Sequence, residues 1–340
     1  MIVEGLAPHS IEAAVRVIRA GQVLGMPTET VYGLAANACD DAAVAKIFQA
    51  KGRPAEHPLI VHVLSAAQVA HFAQQVPDFA RALMQAFWPG PLTLILPRRD
   101  GVAAAAAGGQ NSIGLRCPSH PVAQALLRAC QEPAAGEPVW GLAAPSANQF
   151  GRVSPTTAVH VVGEFGESLL ILDGGACSVG IESTIVDCTR GAPVVLRPGA
   201  ISRCQVEAVA HQLPPQDMQL RTGPATAPRA SGTLEAHYAP RAKVRLMDQR
   251  SLQTALDLLG ADLDAGNTVI ATYSRAVLRS PSTKLIRRRM PDDAGATAQQ
   301  LFAVLREFDA QGARLIWVET PPDTPEWEGV RDRLERAAAA

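Results

Sequence analysis

Apolar positions recur along this chain with two periods. Helical spacing is clearest behind the capping pair Asp40-Asp41, where Val44, Ile47, Phe48 and Lys51 fall at i, i+3, i+4 and i+7 and Gly52 supplies the stop. The same spacing predicts a first helix opened by Ser10-Ile11-Glu12 and ended at Gly21, an alanine-rich helical region running to Phe87, and a helix over Val122–Cys130. Two more are predicted near Leu252–Leu259 and over Thr297–Phe308, the latter with Leu301, Phe302, Leu305 and Phe308 as a buried stripe. Short apolar runs of strand length lie at Val23–Met26, Leu59–Val63, Leu92–Leu96, Ser112–Arg116, Trp140–Ala144, Leu169–Leu172, Glu182–Asp187 and Val194–Arg197. Leu92–Leu96 is continuously apolar, as for a strand covered on both faces. Ser154 and Pro155 read as the N-cap and first residue of a further helix, and Ala103–Gly109 as a low-complexity loop.

Punctuation divides the chain. Between 213 and 240 the periodicity fades and Pro214, Pro215, Gly223, Pro224, Pro228, Gly232 and Pro240 accumulate, which reads as a linker. Residues 1–212 then form one domain. Residues 241–340 form a small parallel α/β domain, because strands at Val244–Leu246, Val269–Thr272 and Leu315–Val318 alternate with helices. A composition of 340 residues, 47% hydrophobic and 19% charged, describes a globular chain. A net charge of −1 gives no general electrostatic case for tight binding of nucleic acid or a membrane surface. Six cysteines without a CxxC pair signal neither a zinc cage nor a disulfide framework. With an early Glu4, no signal-peptide pattern and no apolar run of membrane length, the expected location is cytoplasmic.

Candidate chemistry gathers at the ends of strands. Met26–Thr30 is a turn rich in hydroxyls, and Pro54 and Pro58 crowd Lys51, Arg53 and His57 into a corner before the next strand. A Lys and an Arg closing a helix are commonly solvated and complement its dipole. Here the chain uses only four lysines among 31 basic residues, so a lysine kept at this corner suits a phosphate. Alternation puts Ser112, Gly114 and Arg116 on one strand face, either around a ligand or on an exposed edge strand. Pro145–Asn148 ends a strand in small polar residues, the 154–157 turn offers backbone N–H groups or only a cap, and Arg197 closes another strand. GxxxxGK[ST], HExxH and GxSxG motifs are absent. Arg53, Arg116 and Arg197 with hydroxyls therefore suggest a multiply anionic ligand and a carboxylate, bound without a covalent nucleophile.

The ordered set PTETVYGL, KGRPAEHPLIVHV, NSIGLRCP, PSAN, SPT, ESTIVD and LRPG resembles the YrdC-like threonylcarbamoyl-AMP synthases over residues 8–210, and the HYAP linker with its α/β tail resembles the family's two-domain long form. The resemblance implies a twisted mixed-sheet domain with a concave active site, then a linker and a small Rossmann-like domain. It implies formation of L-threonylcarbamoyladenylate and pyrophosphate from L-threonine, bicarbonate and ATP. The product would feed N6-threonylcarbamoyladenosine formation in tRNA through a downstream threonylcarbamoyl transferase complex, with tRNA itself touched only indirectly or weakly. Thr30, His62, Arg116, Ala144 and Ser183 match the threonine pocket. Lys51, Arg53, His57, Ser112, Ser146, Asn148, Ser154, Arg197, His237 and Tyr238 match the nucleotide site, with Lys51 and Arg53 as the catalytic cations. His57 stands where the family usually has Asn. Mg²⁺ is implied with ATP, with no ligand from a protein side chain. Residues 213–240 would close over the loaded site as a lid. Two other readings stand beside this one: an RNA-binding module of the same fold, and a carbamoyl-adenylate enzyme using carbamoyl phosphate.

Overall fold

The computed structural model describes residues 1–132, 137–210, 227–234, 236–260, 266 and 268–340. Its contacts divide it into one unit of Met1–Phe150 and Ser154–Thr233 and another of Gly151–Val153 and Leu234–Ala340. The expected linker falls partly outside the description, at 213–226 and Glu235, as does part of the loop after residue 132.

In the first unit the chain runs β1 (Ile2–Glu4), α1 (Pro8–Arg19), β2 (Leu24–Met26), β3 (Gly33–Asn37), α2 (Asp41–Lys51), β4 (Ile60–His62), α3 (Val69–Phe72), α4 (Asp78–Phe87), β5 (Leu92–Pro97) and β6 (Ser112–Arg116). It continues through α5 (Pro121–Gln131), β7 (Leu142–Ala143), α6 (Ala158–Phe165), β8 (Ile171–Asp173), β9 (Thr184–Asp187), β10 (Val194–Arg197) and α7 (Arg203–Ala210). The strands form one mixed sheet in the order β1-β8-β2-β3-β7-β4-β6-β5-β9-β10. Successive residues of β3 enter different cores: Leu34 and Ala36 join Ile47, Phe72 and Leu94, whereas Ala35 joins Ile18, Leu24 and Leu126. The sheet is thus covered on both faces, and for that reason β5 is apolar but for Thr93. In register, His62 lies opposite Arg116, Arg116 opposite Thr93, and Thr93 opposite Ile185. Three polar side chains are thereby lined up across adjacent strands.

Helix α2 follows local rules. Asp40 accepts hydrogen bonds from the Ala42 and Ala43 amides, and Gly52 ends the helix at φ +60°, a left-handed position that suits glycine. Elsewhere tertiary contacts move the boundaries. Helix α1 starts at Pro8, so Ser10 is buried inside the helix and caps nothing. Ser154 and Pro155 start no helix: the N-cap of α6 is Thr157, whose hydroxyl accepts from the His160 amide, while the Pro155 carbonyl accepts from the Tyr32 amide. The loop over 103–109 is packed, with Ala106 buried and its carbonyl accepting from the Leu59 amide.

The second unit carries β11 (Lys243–Met247), α8 (Gln249–Leu259), β12 (Ile270–Ser274), β13 (Ile286–Arg289), α9 (Ala294–Ala310), β14 (Leu315–Glu319) and α10 (Glu328–Ala338). Its sheet, β11-β14-β12-β13, is parallel at every pairing, as the alternating pattern required. Leu301, Phe302, Leu305 and Phe308 are buried along α9. Asp248 and Asp293 cap α8 and α9.

Candidate functional site

The turn after β2 is built by one hydroxyl. Thr28 Oγ1 donates to the Val31 carbonyl at 2.6 Å and accepts from the Thr30 and Val31 amides, both at 3.2 Å. The Thr30 hydroxyl, 2.9 Å from Thr28 Oγ1, then has a lone pair free to accept from Arg116 Nη1 at 2.7 Å. Arg116 Nη2 lies 2.8 Å from Glu29 Oε1. Both ends of this pair are buried, Arg116 at 3% exposure and Glu29 at 5%. Strand β6 is interior to the sheet, so the edge-strand reading of Ser112–Arg116 is excluded. For the Glu29 carboxyl, burial works against the charge, but the Arg116 guanidinium together with the Glu29 and Ser119 backbone outweighs it and holds the pKa below the usual carboxylate value.

His62 is buried beside this pair. Burial, reinforced by the Arg116 charge, pushes its pKa down to about 3, so the imidazole is neutral at pH 7. An unfolded histidine titrates near 6.5, so below that value the unfolded chain takes up a proton that folded His62 refuses. His62's contribution to stability is therefore complete above pH 6.5 and is lost as the pH falls towards 3. His62→Asn should flatten this part of the acid limb in urea titrations between pH 7 and 4. An acid limb identical to that of the parent protein would contradict the buried neutral state.

A second cluster continues across the sheet. Thr93 Oγ1 is 2.7 Å from Ser183 Oγ, and the Ser183 carbonyl accepts from Arg197 Nε and Nη2 at 3.1 and 2.9 Å. Arg197 Nη1 donates to the Ser231 carbonyl at 2.8 Å, and the Ser231 hydroxyl is 3.3 Å from Arg53 Nη2. The 229–231 segment thus roofs a small cavity of about 20 Å³ whose lining includes Ile60, Thr93, Ser112, Gly114 and Ile185. A Cβ on Gly114 would meet Thr93 Cγ2 at 3.5 Å, an ordinary contact. Packing does not demand the glycine; it keeps this cavity open.

The cationic corner is not a solvated helix end. Lys51, on the buried stripe of α2, is 2% exposed, and its ammonium donates to the Ser146 carbonyl at 2.6 Å and to the Asn148 carbonyl. Burial and then the neighbouring Arg53 charge pull its pKa well below the ordinary lysine value, against the opposing pull of Glu164 and Glu182. Arg53 donates to the Pro58 carbonyl at 3.0 Å and lies over the Phe150 ring. His57 meets the same ring edge-on, and burial followed by Arg53 lowers its pKa. Ser154 donates to the buried Glu182 carboxylate, which replaces the helix-terminal role assigned to it above. Ala144 is buried with its β-carbon 3.0 Å from where a Cβ on Gly33 would stand.

His237 and Tyr238 belong to the second unit. There Tyr238 is buried at φ +60°, its ring stacked with His237, near Phe302, and with Arg333 over it at 5.1 Å. A non-glycine residue in this left-handed region is held by its packing. Sequence reasoning passed over Glu29, Thr93 and Glu182. Glu29 and Glu182 each sit next to an assigned hydroxyl residue in PTET and EST, and a carboxylate inside an otherwise apolar or hydroxyl-bearing run was the available signal.

A family model described as telomere recombination, the Sua5/YciO/YrdC domain, matches residues 16–199, and one described as threonylcarbamoyl-AMP synthase, C-terminal domain, matches 201–339. The chain is 35% identical to a threonylcarbamoyl-AMP synthase of Pyrococcus abyssi over 98% of this chain and 96% of the relative. To that of Bacillus subtilis it is 37% identical over 96% and 92%. Among solved structures, Pyrococcus abyssi Sua5 complexed with L-threonine matches with a TM-score of 0.85 at 32% identity, covering 99% of this chain and 97% of that one. A variant of the same protein with an adjacent His and Tyr changed to alanine matches equally, at 0.85 over 99% and 96%.

Proposed function

We infer, from a chain that belongs to the Sua5/YciO/YrdC family and carries the C-terminal domain of threonylcarbamoyl-AMP synthases, that this protein is an L-threonylcarbamoyladenylate synthase. It joins L-threonine, bicarbonate and ATP and releases pyrophosphate. The observation that carries this reading is a continuous line of groups. Arg116 faces Thr93, Thr93 meets Ser183, Ser183 holds Arg197, and Ser231 joins Arg197 to Arg53. One buried guanidinium suited to a carboxylate thus stands at one end, and cations suited to phosphates stand at the other.

In the reaction, an oxygen of threonine carbamate attacks the α-phosphorus of ATP and pyrophosphate departs. The protein's contribution is position and charge: Arg116 fixes the threonine carboxylate, and Lys51, Arg53 and Arg197 stabilise the triphosphate and the leaving group. Ser231 now engages donors of Arg53 and Arg197, so nucleotide entry exchanges these contacts for phosphate oxygens. Among the described residues, no group of three His, Cys, Asp or Glu gathers to cage a metal. Mg²⁺ would arrive carried by the ATP phosphates and would neutralise their charge there. The labile product would pass to a transferase acting on tRNA. Among the described residues no helix is long and apolar enough to cross a membrane, and with all six cysteines free we place the protein in the cytoplasm.

The experiment is a pyrophosphate assay with ATP and bicarbonate, adding threonine, carbamoyl phosphate or nothing. Release is expected with threonine alone. Release with carbamoyl phosphate in its place, or independent of either, would overturn the reading.

A further inference from the structure

The Glu29–Arg116 pair is short but poorly bonded. At 2.8 Å it is an ion pair, yet the Nη2 N–H is not aligned on the carboxylate. Among the described residues, Glu29 Oε1 and Oε2, Arg116 Nη2 and His62 Nδ1 are all buried without a well-aligned hydrogen bond, with only off-line contacts from the Arg116 guanidinium and the Glu29 and Ser119 backbone to the carboxylate and from the Ile60 and Leu142 backbone to His62. A buried ion pair that serves only the fold is stable when its remaining donors and lone pairs are satisfied. Here they are only partly satisfied together, with the three side chains in mutual electrostatic contact. Unmade hydrogen bonds at such depth point to a ligand that makes them.

The ligand's own charges say how. At neutral pH threonine is a zwitterion. A pocket offering Arg116 alone would bury the α-ammonium group without a partner, which is strongly unfavourable. Resting on the synthase reading above, we propose that Glu29 is the receptor for the α-ammonium group of L-threonine, so that Glu29 and Arg116 form a preassembled complement to the amino acid's two charges. Arg116 takes the carboxylate through Nη2, and Glu29 turns its open oxygen to the nitrogen. The nitrogen that becomes the carbamate nitrogen is thereby fixed in place. Selection for an amino acid over a hydroxy acid of the same shape follows from Glu29.

The test uses the full chain and two ligands in calorimetry: L-threonine and its α-hydroxy analogue, in which oxygen replaces the amino nitrogen. The parent protein should prefer threonine by about 10- to 150-fold, the range of a charge-assisted hydrogen bond. In Glu29→Gln, threonine binding should weaken by a similar factor while the hydroxy acid is held as before, so the preference collapses. Glu29→Asp, which keeps the charge at shorter reach, should restore part of it. ATP binding by each variant reports a folded site. If Glu29→Gln weakens both ligands equally, or if the preference for threonine survives in both variants, Glu29 acts only by holding Arg116 and the proposal is wrong. A parent protein that binds no threonine would instead sink the synthase reading itself.

Discussion

Lys51→Ala is expected to lower the rate of threonine-dependent pyrophosphate release by about 100- to 1,000-fold, the scale for removing one preorganised donor from a developing charge. Threonine binding should be unaffected. The reasoning starts from position: Lys51 completes the apolar stripe of α2 and is buried with Val44, Ile47 and Phe48. An ammonium there loses its hydration, and the Ser146 and Asn148 carbonyls are neutral partners that replace only part of it. Glu164 and Glu182 supply the compensating field. Such a site is poised for negative charge, and a growing pyrophosphate brings it. Lys51→Met keeps most of the packing and should lose as much rate as the alanine, which separates charge from cavity formation. Normal rates in both variants would reduce Lys51 to a pin for the 146–148 turn.

Arg116→Ala should abolish measurable threonine binding, a loss of about 100-fold when a buried, charge-assisted contact is removed, with ATP affinity retained. It should also destabilise the fold by about 3–5 kcal/mol, because Glu29 is left as a buried, unpaired charge. The two effects come apart in the double variant Glu29→Gln/Arg116→Ala. Removing the orphaned charge should recover most of the stability in urea titrations and none of the threonine binding. A single variant that is unstable yet still binds threonine would take the carboxylate away from Arg116. Calorimetry on both variants decides it.

These expectations rest partly on what the sequence already displayed. The cap at Asp40, the stripe ending in Lys51 and the alternation of Ser112, Gly114 and Arg116 depend on neighbours within a few residues, so local pattern was sufficient. Local pattern failed where a distant partner decided. Ser154-Pro155 and Thr157-Ala158 both satisfy the rules for a helix start, and the choice between them rests on Glu182 engaging Ser154 and on Tyr32 engaging the Pro155 carbonyl. Strand β3, GLAAN, has small residues covered on both faces and hence no polar–apolar alternation to read. Helix α10 hides in a mostly charged stretch, because its buried side, Gly329, Val330, Arg333, Leu334 and Ala337, itself includes an arginine. The ion partner of Arg116 was invisible for the same reason: Glu29 lies far away along the chain and meets it only through the sheet.

The pairing of β1 with β8 sets a schedule for synthesis. Ile2 is made well before its partner Ile171, and Val3 well before Leu172. At about 5–20 residues per second, the leading strand waits roughly 10–30 s for its neighbour. Leu92–Ile95 likewise pair with Thr184–Asp187, so the other end of the sheet also closes late. The parts of the binding line come from Arg53, Thr93, Arg116, Ser183 and Arg197, and none of them is usable before nearly all of the first unit has emerged. Long-range closure of this kind folds slowly and leaves strand edges exposed in the nascent chain. The emerging polypeptide therefore has a long interval in which its apolar strands depend on the ribosome surface or a chaperone for cover.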